Sequence, residues 1–251
     1  MIMATFNRFR RILAAVVLSG LVVGGPCHAA AAAQLDVHGI EALLKKTFPG
    51  IDISSIARAP IPGIYEVMLG PEVVYVSADG RYLLQGDLLD LEEKRNRSED
   101  LRAAARTEIL KSIPLDEVIE FSPPSPRYTV YAFTDVSCGF CRRLHRDVPT
   151  LNKMGIAIRY VAFPRNGPGS QAFRDMESVW CSADRKEAMT AAKSGRPVAQ
   201  STCDNPVRKQ FELGRSLGIH GTPAIFMSDG RALPGYLPPK EFLEALQKDS
   251  D

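Results

Sequence analysis

The chain changes its hydrophobic rhythm between Tyr128 and Leu151. Tyr128–Phe133 (YTVYAF) is apolar and rich in β-formers like a buried strand, whereas Leu144, Val148 and Leu151 recur at spacings of four and three, the stripe of a helix. Strand, turn and helix are predicted, with Pro149 expected to bend or end the helix. Ile156–Phe163 (IAIRYVAF) reads as a strand separated from the first by that helix, which implies a parallel crossover. Glu117–Phe121 predicts an earlier strand, cut off by Ser122-Pro123-Pro124-Ser125-Pro126, a loop that cannot continue a ladder. Gln171–Ser194 is helical in pattern and ends near Gly195, and Val207–Leu217 is a further helix. A strand at Ala224–Met227 turns at Asp229-Gly230 into Ala232-Leu233, and Lys240–Gln247 forms a closing helix. The economical solution is a four-stranded or five-stranded sheet with helices on both faces, the excursion between Phe163 and Gly218 being an insertion.

The pattern upstream is of another kind. Val37, Ile40, Leu43, Leu44 and Phe48 make a helical stripe that Pro49-Gly50 stops. Short strands are predicted at Ile51–Ile56, Ile64–Leu69, Val73–Ser77 and Tyr82–Gln85, divided by Gly70-Pro71 and Asp79-Gly80. A helix against an antiparallel meander this small has little core and leaves a sheet edge unpaired. Either a second copy covers that edge or it is capped within a monomer. Ser98, followed by Glu99 and Asp100, reads as an N-cap, and Leu101, Ala105, Ile109 and Ile113 keep a four-residue rhythm up to Pro114. That narrow stripe favours an exposed, semi-rigid arm over a packed element.

At the start of the chain Arg8, Arg10 and Arg11 precede Ile12–Val23, an apolar run too short to span a bilayer, followed by Gly24, Gly25, Pro26 and a string of alanines. This is the pattern of a secretory signal peptide, cleaved between His28 and Ala33. Pro26 stands where lipidation of Cys27 would need a small residue, so Cys27 is expected to leave with the signal. The whole chain, balanced at a formal net charge of +2, argues against a dedicated nucleic-acid surface.

Export bears on the cysteines. Without Cys27, the five cysteines reduce to Cys138, Cys141, Cys181 and Cys203, an even set in an oxidising compartment. Cys138 and Cys141 are separated by Gly139 and Phe140 at the predicted head of a helix. There the free backbone N–H groups and the positive end of the dipole favour a thiolate at Cys138, the nucleophile. Cys141, one turn further in, can resolve a mixed disulfide formed at Cys138. A C-x-x-C pair can also be half of a zinc site, but zinc needs four ligands and no further short spacing supplies them. Cys181 and Cys203 pair as a structural disulfide closing a loop of roughly 20 residues, worth on the order of 3 kcal/mol, the alternative being two buried free thiols. Thr222-Pro223, next to Gly221, is a candidate cis bond that the sequence by itself would leave trans.

Read together, FTDVSCGFC, RYVAFPR, VWC, TCD, GTPAIF and PGYLPPKEF resemble, in order and over nearly the whole length, the periplasmic disulfide isomerases of the DsbC type, in the DsbC/DsbG family of the thioredoxin superfamily. The resemblance implies an α/β and α+β chain. Residues 1–33 would be the cleaved signal peptide, 34–90 a small cystatin-like dimerisation domain, 91–113 a linker helix and 114–251 a thioredoxin-like catalytic domain with a helical insertion. It implies a homodimer with chaperone-like substrate binding, misoxidised secreted proteins as substrates, a membrane thiol reductase of the DsbD type as electron donor, no nucleic acid and no cofactor. It also makes Thr222-Pro223 the cis-proline pair beside Cys138 and Cys141, the Thr222 backbone holding substrate as an added strand. The activity implied is isomerisation or reduction of non-native disulfides in the periplasm. Alternatives are a DsbG-like reductase protecting single cysteines, a net oxidase, or a binding chaperone whose thiols are incidental. Two departures stand out. Thioredoxin carries a buried Asp six residues before its nucleophile, where this chain has Ala132, so the proton route from Cys141 must differ. Gly139-Phe140 also replaces the more common Gly-Tyr. His145 lies on the helix face of the cysteines, either near the chemistry or as an ordinary surface histidine.

Overall fold

The computed structural model describes residues 34–248. The expected signal peptide lies outside them.

Helix α1 (Val37–Thr47) begins at Asp36, whose carboxylate caps the Gly39 amide at 2.8 Å. Its Ile40 and Leu44 pack on Tyr65, Val67, Val74 and Val76. Those residues belong to β2 (Ile64–Leu69) and β3 (Glu72–Ser77), the centre of an antiparallel sheet ordered β1-β2-β3-β4, with β1 at Ser55–Arg58 and β4 at Leu83–Leu84. β1 therefore starts later than the apolar run at Ile51 suggests. Only the amide of Ser54, bonded to the Met68 carbonyl at 2.8 Å, extends its pairing. The outer strand β4 exposes Leu83 and Leu84 beside Tyr82 and Ile61.

A two-stranded ribbon, β5 (Leu89–Asp90) and β6 (Arg95–Asn96), leads into α2 (Arg97–Lys111). The cap of α2 is Asn96, which accepts from the Glu99 amide at 3.0 Å. Ser98 instead ties the helix to the sheet, its buried hydroxyl lying 2.6 Å from the Tyr75 hydroxyl and 2.7 Å from the Leu88 amide. Nor is α2 a free arm. Leu101 and Ala105 pack with Met68, Val73 and Tyr75, while Leu110 and Ile113 enter the larger core downstream. Between them, Gly230 approaches so closely that a Cβ there would lie 1.9 Å from the Ala103 carbonyl oxygen. Counting apolar residues missed this face because it contains small Ala103 and a buried Arg106. The Arg106 guanidinium bonds Glu99 and the Arg102 carbonyl and lies 5.3 Å from the centroid of the Phe226 ring.

The second sheet has five strands in the order β11-β10-β8-β9-β7. They span β7 (Ile119–Phe121), β8 (Tyr128–Thr134), β9 (Ile156–Ala162), β10 (Ala224–Met227) and β11 (Ala232–Leu233). β8 and β9 are parallel, joined through α3 (Gly139–Lys153), and the other pairings are antiparallel. Val130, Tyr131, Ala132 and Phe133 are all buried in sequence, so both faces of β8 are covered. α3 runs through Pro149 without ending, because Leu144, Val148 and Leu151, all buried, hold it to the sheet on either side of the missing N–H.

The insertion is two helices rather than one. α4 (Gln171–Trp180) stops at Cys181, and Asp184, accepting from the Glu187 amide at 2.9 Å, starts α5 (Arg185–Lys193). α6 (Val207–Ser216) and α7 (Pro239–Lys248) complete the domain. Two polar side chains lock the insertion to the sheet. Trp180 donates through Nε1 to the Glu117 carbonyl at 2.8 Å. Gln210 donates to that same oxygen at 2.9 Å and accepts from the Ala162 amide at 2.7 Å.

Candidate active site

The turn from β8 to α3 is organised by Asp135, fully buried. Its Oδ1 accepts from the Ser137 amide and hydroxyl, each at 2.7 Å, and its Oδ2 accepts from the Arg165 amide and Nε, each at 3.0 Å. These bonds outweigh the opposing effect of burial and keep the Asp135 pKa low. The turn thereby fixes Cys138 at the N-cap of α3. The Cys138 sulfur accepts from the Cys141 amide at 3.4 Å and lies 3.1 Å from the Thr222 carbonyl oxygen, across the cis Thr222-Pro223 bond.

The environment separates the two thiols. Cys138 is lowered from 9.0 to about 5, first by the hydrogen bond from the Cys141 thiol, then, against burial, by the Thr222 hydroxyl, the Cys141 amide and the positive charge of Arg165. The Thr222 hydroxyl is buried and has no hydrogen-bond partner among the described residues, so this sulfur is the group it acts on. Burial pushes Cys141 upward, and its bond to Cys138 adds to the rise, while Lys193, the Asp135 amide and the Thr134 hydroxyl oppose it. One member of the pair is thus a thiolate at neutral pH and the other a thiol.

Phe140, half exposed, stands beside them with Arg143 over its ring at 5.3 Å and Tyr236 at 6.3 Å between centroids. His145 is a buried histidine rather than a surface one. Its Nδ1 is 3.1 Å from the Tyr160 hydroxyl and its Nε2 3.1 Å from the Thr190 hydroxyl. Burial, and then the charge of Lys193, lower it to about 4, so it is neutral at working pH. Cys181 and Cys203 form a disulfide between the end of α4 and the segment before α6, their Cα atoms 5.6 Å apart. No group of three or more His, Cys, Asp or Glu among the described residues is arranged to hold a metal.

Three residues that line Cys141 were not singled out in the sequence: Thr134, Asp135 and Lys193. Asp135 and Thr134 adjoin the cysteine motif and were within sight. Lys193 comes from α5, far along the chain, and its only local signal is a lysine completing the buried stripe of Ala188, Met189 and Ala192.

Comparison with known proteins decides the family. The description "Thioredoxin-like domain" matches residues 116–249 and "Disulfide bond isomerase protein N-terminal domain" matches 27–99. The chain is 38% identical over 210 residues to the thiol:disulfide interchange protein DsbC of Dickeya dadantii, covering 82% of this chain and 86% of that protein. The DsbC of Escherichia coli is 34% identical over 217 residues, 86% of this chain and 89% of its own length. The chain belongs to the DsbC family. It is a thiol-disulfide interchange enzyme, a protein disulfide isomerase with a thioredoxin-like domain behind a DsbC N-terminal domain. Among solved structures, a disulfide interchange protein from Neisseria gonorrhoeae superposes at a TM-score of 0.50 with 30% identity, covering 55% of this chain and 99% of that one.

Proposed function

We propose that Cys138 is the attacking group of the isomerase and Cys141 its resolving partner. The observation that carries this reading is the split between the two sulfurs: Cys138, at the helix cap, has a pKa of about 5, whereas Cys141 behind it is pushed up. The Cys138 thiolate attacks one sulfur of a wrongly paired disulfide. A bond forms between Cys138 and that sulfur, and the other substrate sulfur leaves as a thiolate. A second substrate thiolate then attacks the bound substrate sulfur, making the correct pair and returning Cys138. Alternatively Cys141 loses its proton and attacks Cys138, and the substrate departs reduced. A low thiolate pKa makes Cys138 both a ready attacker and a good leaving group.

Thr222 and Pro223 present substrate in this reading, with the Thr222 backbone, next to the Cys138 sulfur, serving as an edge for an extended chain. Residues 34–90 form the dimerisation domain, 91–113 the connecting helix and 114–251 the catalytic domain. The homodimer closes over β4, where Tyr82, Leu83, Leu84 and Ile61 leave an apolar edge exposed. The enzyme works in the periplasm after removal of residues 1–33, with misoxidised secreted proteins as substrates and a membrane reductase of the DsbD type keeping the thiols reduced.

Reactivation of scrambled ribonuclease by the reduced mature protein tests the proposal. The wild type restores activity, and the Cys138→Ala, Cys141→Ala double variant does not. Equal recovery with the double variant would reduce the thiols to bystanders on a binding chaperone.

A further inference from the structure

Lys193 is a buried ammonium in an unusual position. It is 4% exposed and forms no ion pair with a carboxylate among the described residues, since the side chain of the nearest one, Asp135, is engaged by Arg165 and Ser137. Its Nζ instead bonds the Thr134 hydroxyl at 2.5 Å and the Asp135 carbonyl at 2.9 Å, and it faces the Tyr160 ring at 5.7 Å from the centroid. The Thr134 hydroxyl in turn acts on the Cys141 thiol, favouring its ionised form. Thr134 thus stands between Lys193, which it bonds, and Cys141, on which both act, under the active-site pair. Ala132, also buried, offers no proton acceptor there.

We propose that Lys193 is the proton reservoir for Cys141, exchanging a proton with it through the Thr134 hydroxyl each time the mixed disulfide is resolved. This rests on the assignment of Cys138 as attacker and Cys141 as resolver. The neutral amine receives the proton as Cys141 becomes a thiolate. The Thr134 hydroxyl reverses its direction in the relay, and the thiolate attacks Cys138. The Cys141–Cys138 bond forms, the bond from Cys138 to substrate breaks, and the electron pair leaves on the substrate sulfur. When the reductase later supplies two electrons, the ammonium returns the proton to Cys141.

The charges around Lys193 are arranged for such a role. Burial lowers it from 10.5 to about 8, Arg142 acts in the same direction, and negative charge on Cys141, Asp135 and Cys138 opposes them. His145, the nearest other base on α3, is neutral. Tyr160 on β9 is held far above neutrality by burial, so it remains protonated. Forming the mixed disulfide removes the Cys138 thiolate, one of the charges that keep Lys193 protonated. Lys193 then gives up its proton, which leaves with the departing substrate thiolate, and the neutral amine is available when Cys141 has to ionise; after reduction it takes a proton back from solvent as the Cys138 thiolate returns.

The test is release of nitrothiobenzoate from a mixed disulfide preformed at Cys138 of the mature protein, followed across neutral pH in wild type, Lys193→Met and Thr134→Val. Methionine keeps the buried stem and thioether volume but carries no proton, and valine breaks the relay while leaving the amine in place. Lys193→Met should slow release at neutral pH by about 100-fold and displace its pH midpoint upward, and Thr134→Val should do the same by about tenfold. Alkylation of free Cys138 should change by less than threefold in both, because that thiol is ionised well below neutral pH. Release within threefold of wild type with an unchanged pH profile would overturn the proposal. So would uniform slowing without a change of profile, the mark of a merely structural lysine. If Lys193→Met fails to fold, the profile of Thr134→Val decides alone. Failure of free Cys138 to be alkylated at all would instead remove the assignment of the attacker.

Discussion

The two cysteine pairs of this chain use one residue type at opposite ends of a helix. Cys138 caps the N-terminus of α3, while Cys181 sits at the C-cap of α4. At the first end, free amides and the positive end of the dipole stabilise a sulfur anion. At the second, the negative end of the dipole disfavours a thiolate, and Cys181 is instead bonded to Cys203 on the following segment. Reactivity is thus set by what surrounds the sulfur. One pair is available for exchange because an aspartate-pinned turn and a buried lysine line it. The other fastens the insertion.

The largest test of that contrast is to delete each pair. Cys138→Ala should lower disulfide exchange by at least about 1,000-fold, read with scrambled ribonuclease. The Cys181→Ala, Cys203→Ala double variant should keep exchange within a few-fold and lose about 3 kcal/mol of stability in urea unfolding. Loss of exchange in the second variant, with the fold intact, would erase the distinction between the pairs.

A smaller effect follows from linkage. The folded Cys138 pKa lies below its ordinary value of 9.0, at about 5, so its contribution to stability is complete above the unfolded value and lost as pH falls through the folded one. The reduced protein should therefore gain stability relative to the oxidised form between about pH 5 and 9. Paired thermal melts across that range check the sign, and a flat difference would contradict it. Smaller again is the contribution of a single donor. Thr222→Val removes the hydroxyl facing Cys138 and should raise the midpoint of its alkylation by about one pH unit or less.

What the sequence disclosed follows the same division between local and distant causes. The strand, turn and helix around Cys138 were readable because periodicity and the C-x-x-C spacing are contained in one short segment. β2 and β10 coincide with their apolar runs for the same reason. α2 was harder to read. Besides Leu110, its buried residues are Ser98, Ala103 and Arg106, which bury by hydrogen bonding and close backbone approach rather than by apolar bulk, so hydropathy described an arm where the fold has a packed helix. The break between α4 and α5 was hidden because Met189 and Ala192 continue the apolar stripe past Cys181. Lys193 could not be placed beside Cys141 from spacing at all: only the packing of α5 against α3 brings it to Thr134 and Asp135 at the end of β8. His145 was misjudged for a related reason, since the elements that bury it, β9 and α5, are remote in sequence.

Exchange at this site depends on Cys138 being an anion where Cys141 is not. Ultraviolet absorbance of the thiolate in the reduced mature protein, titrated from about pH 3 to 9, measures this directly. It should show one sulfur ionising near pH 5, with that step absent from Cys138→Ala and retained in Cys141→Ala at a higher midpoint because the donating thiol is gone. A single step near the ordinary thiol value, shared by both cysteines, would contradict it.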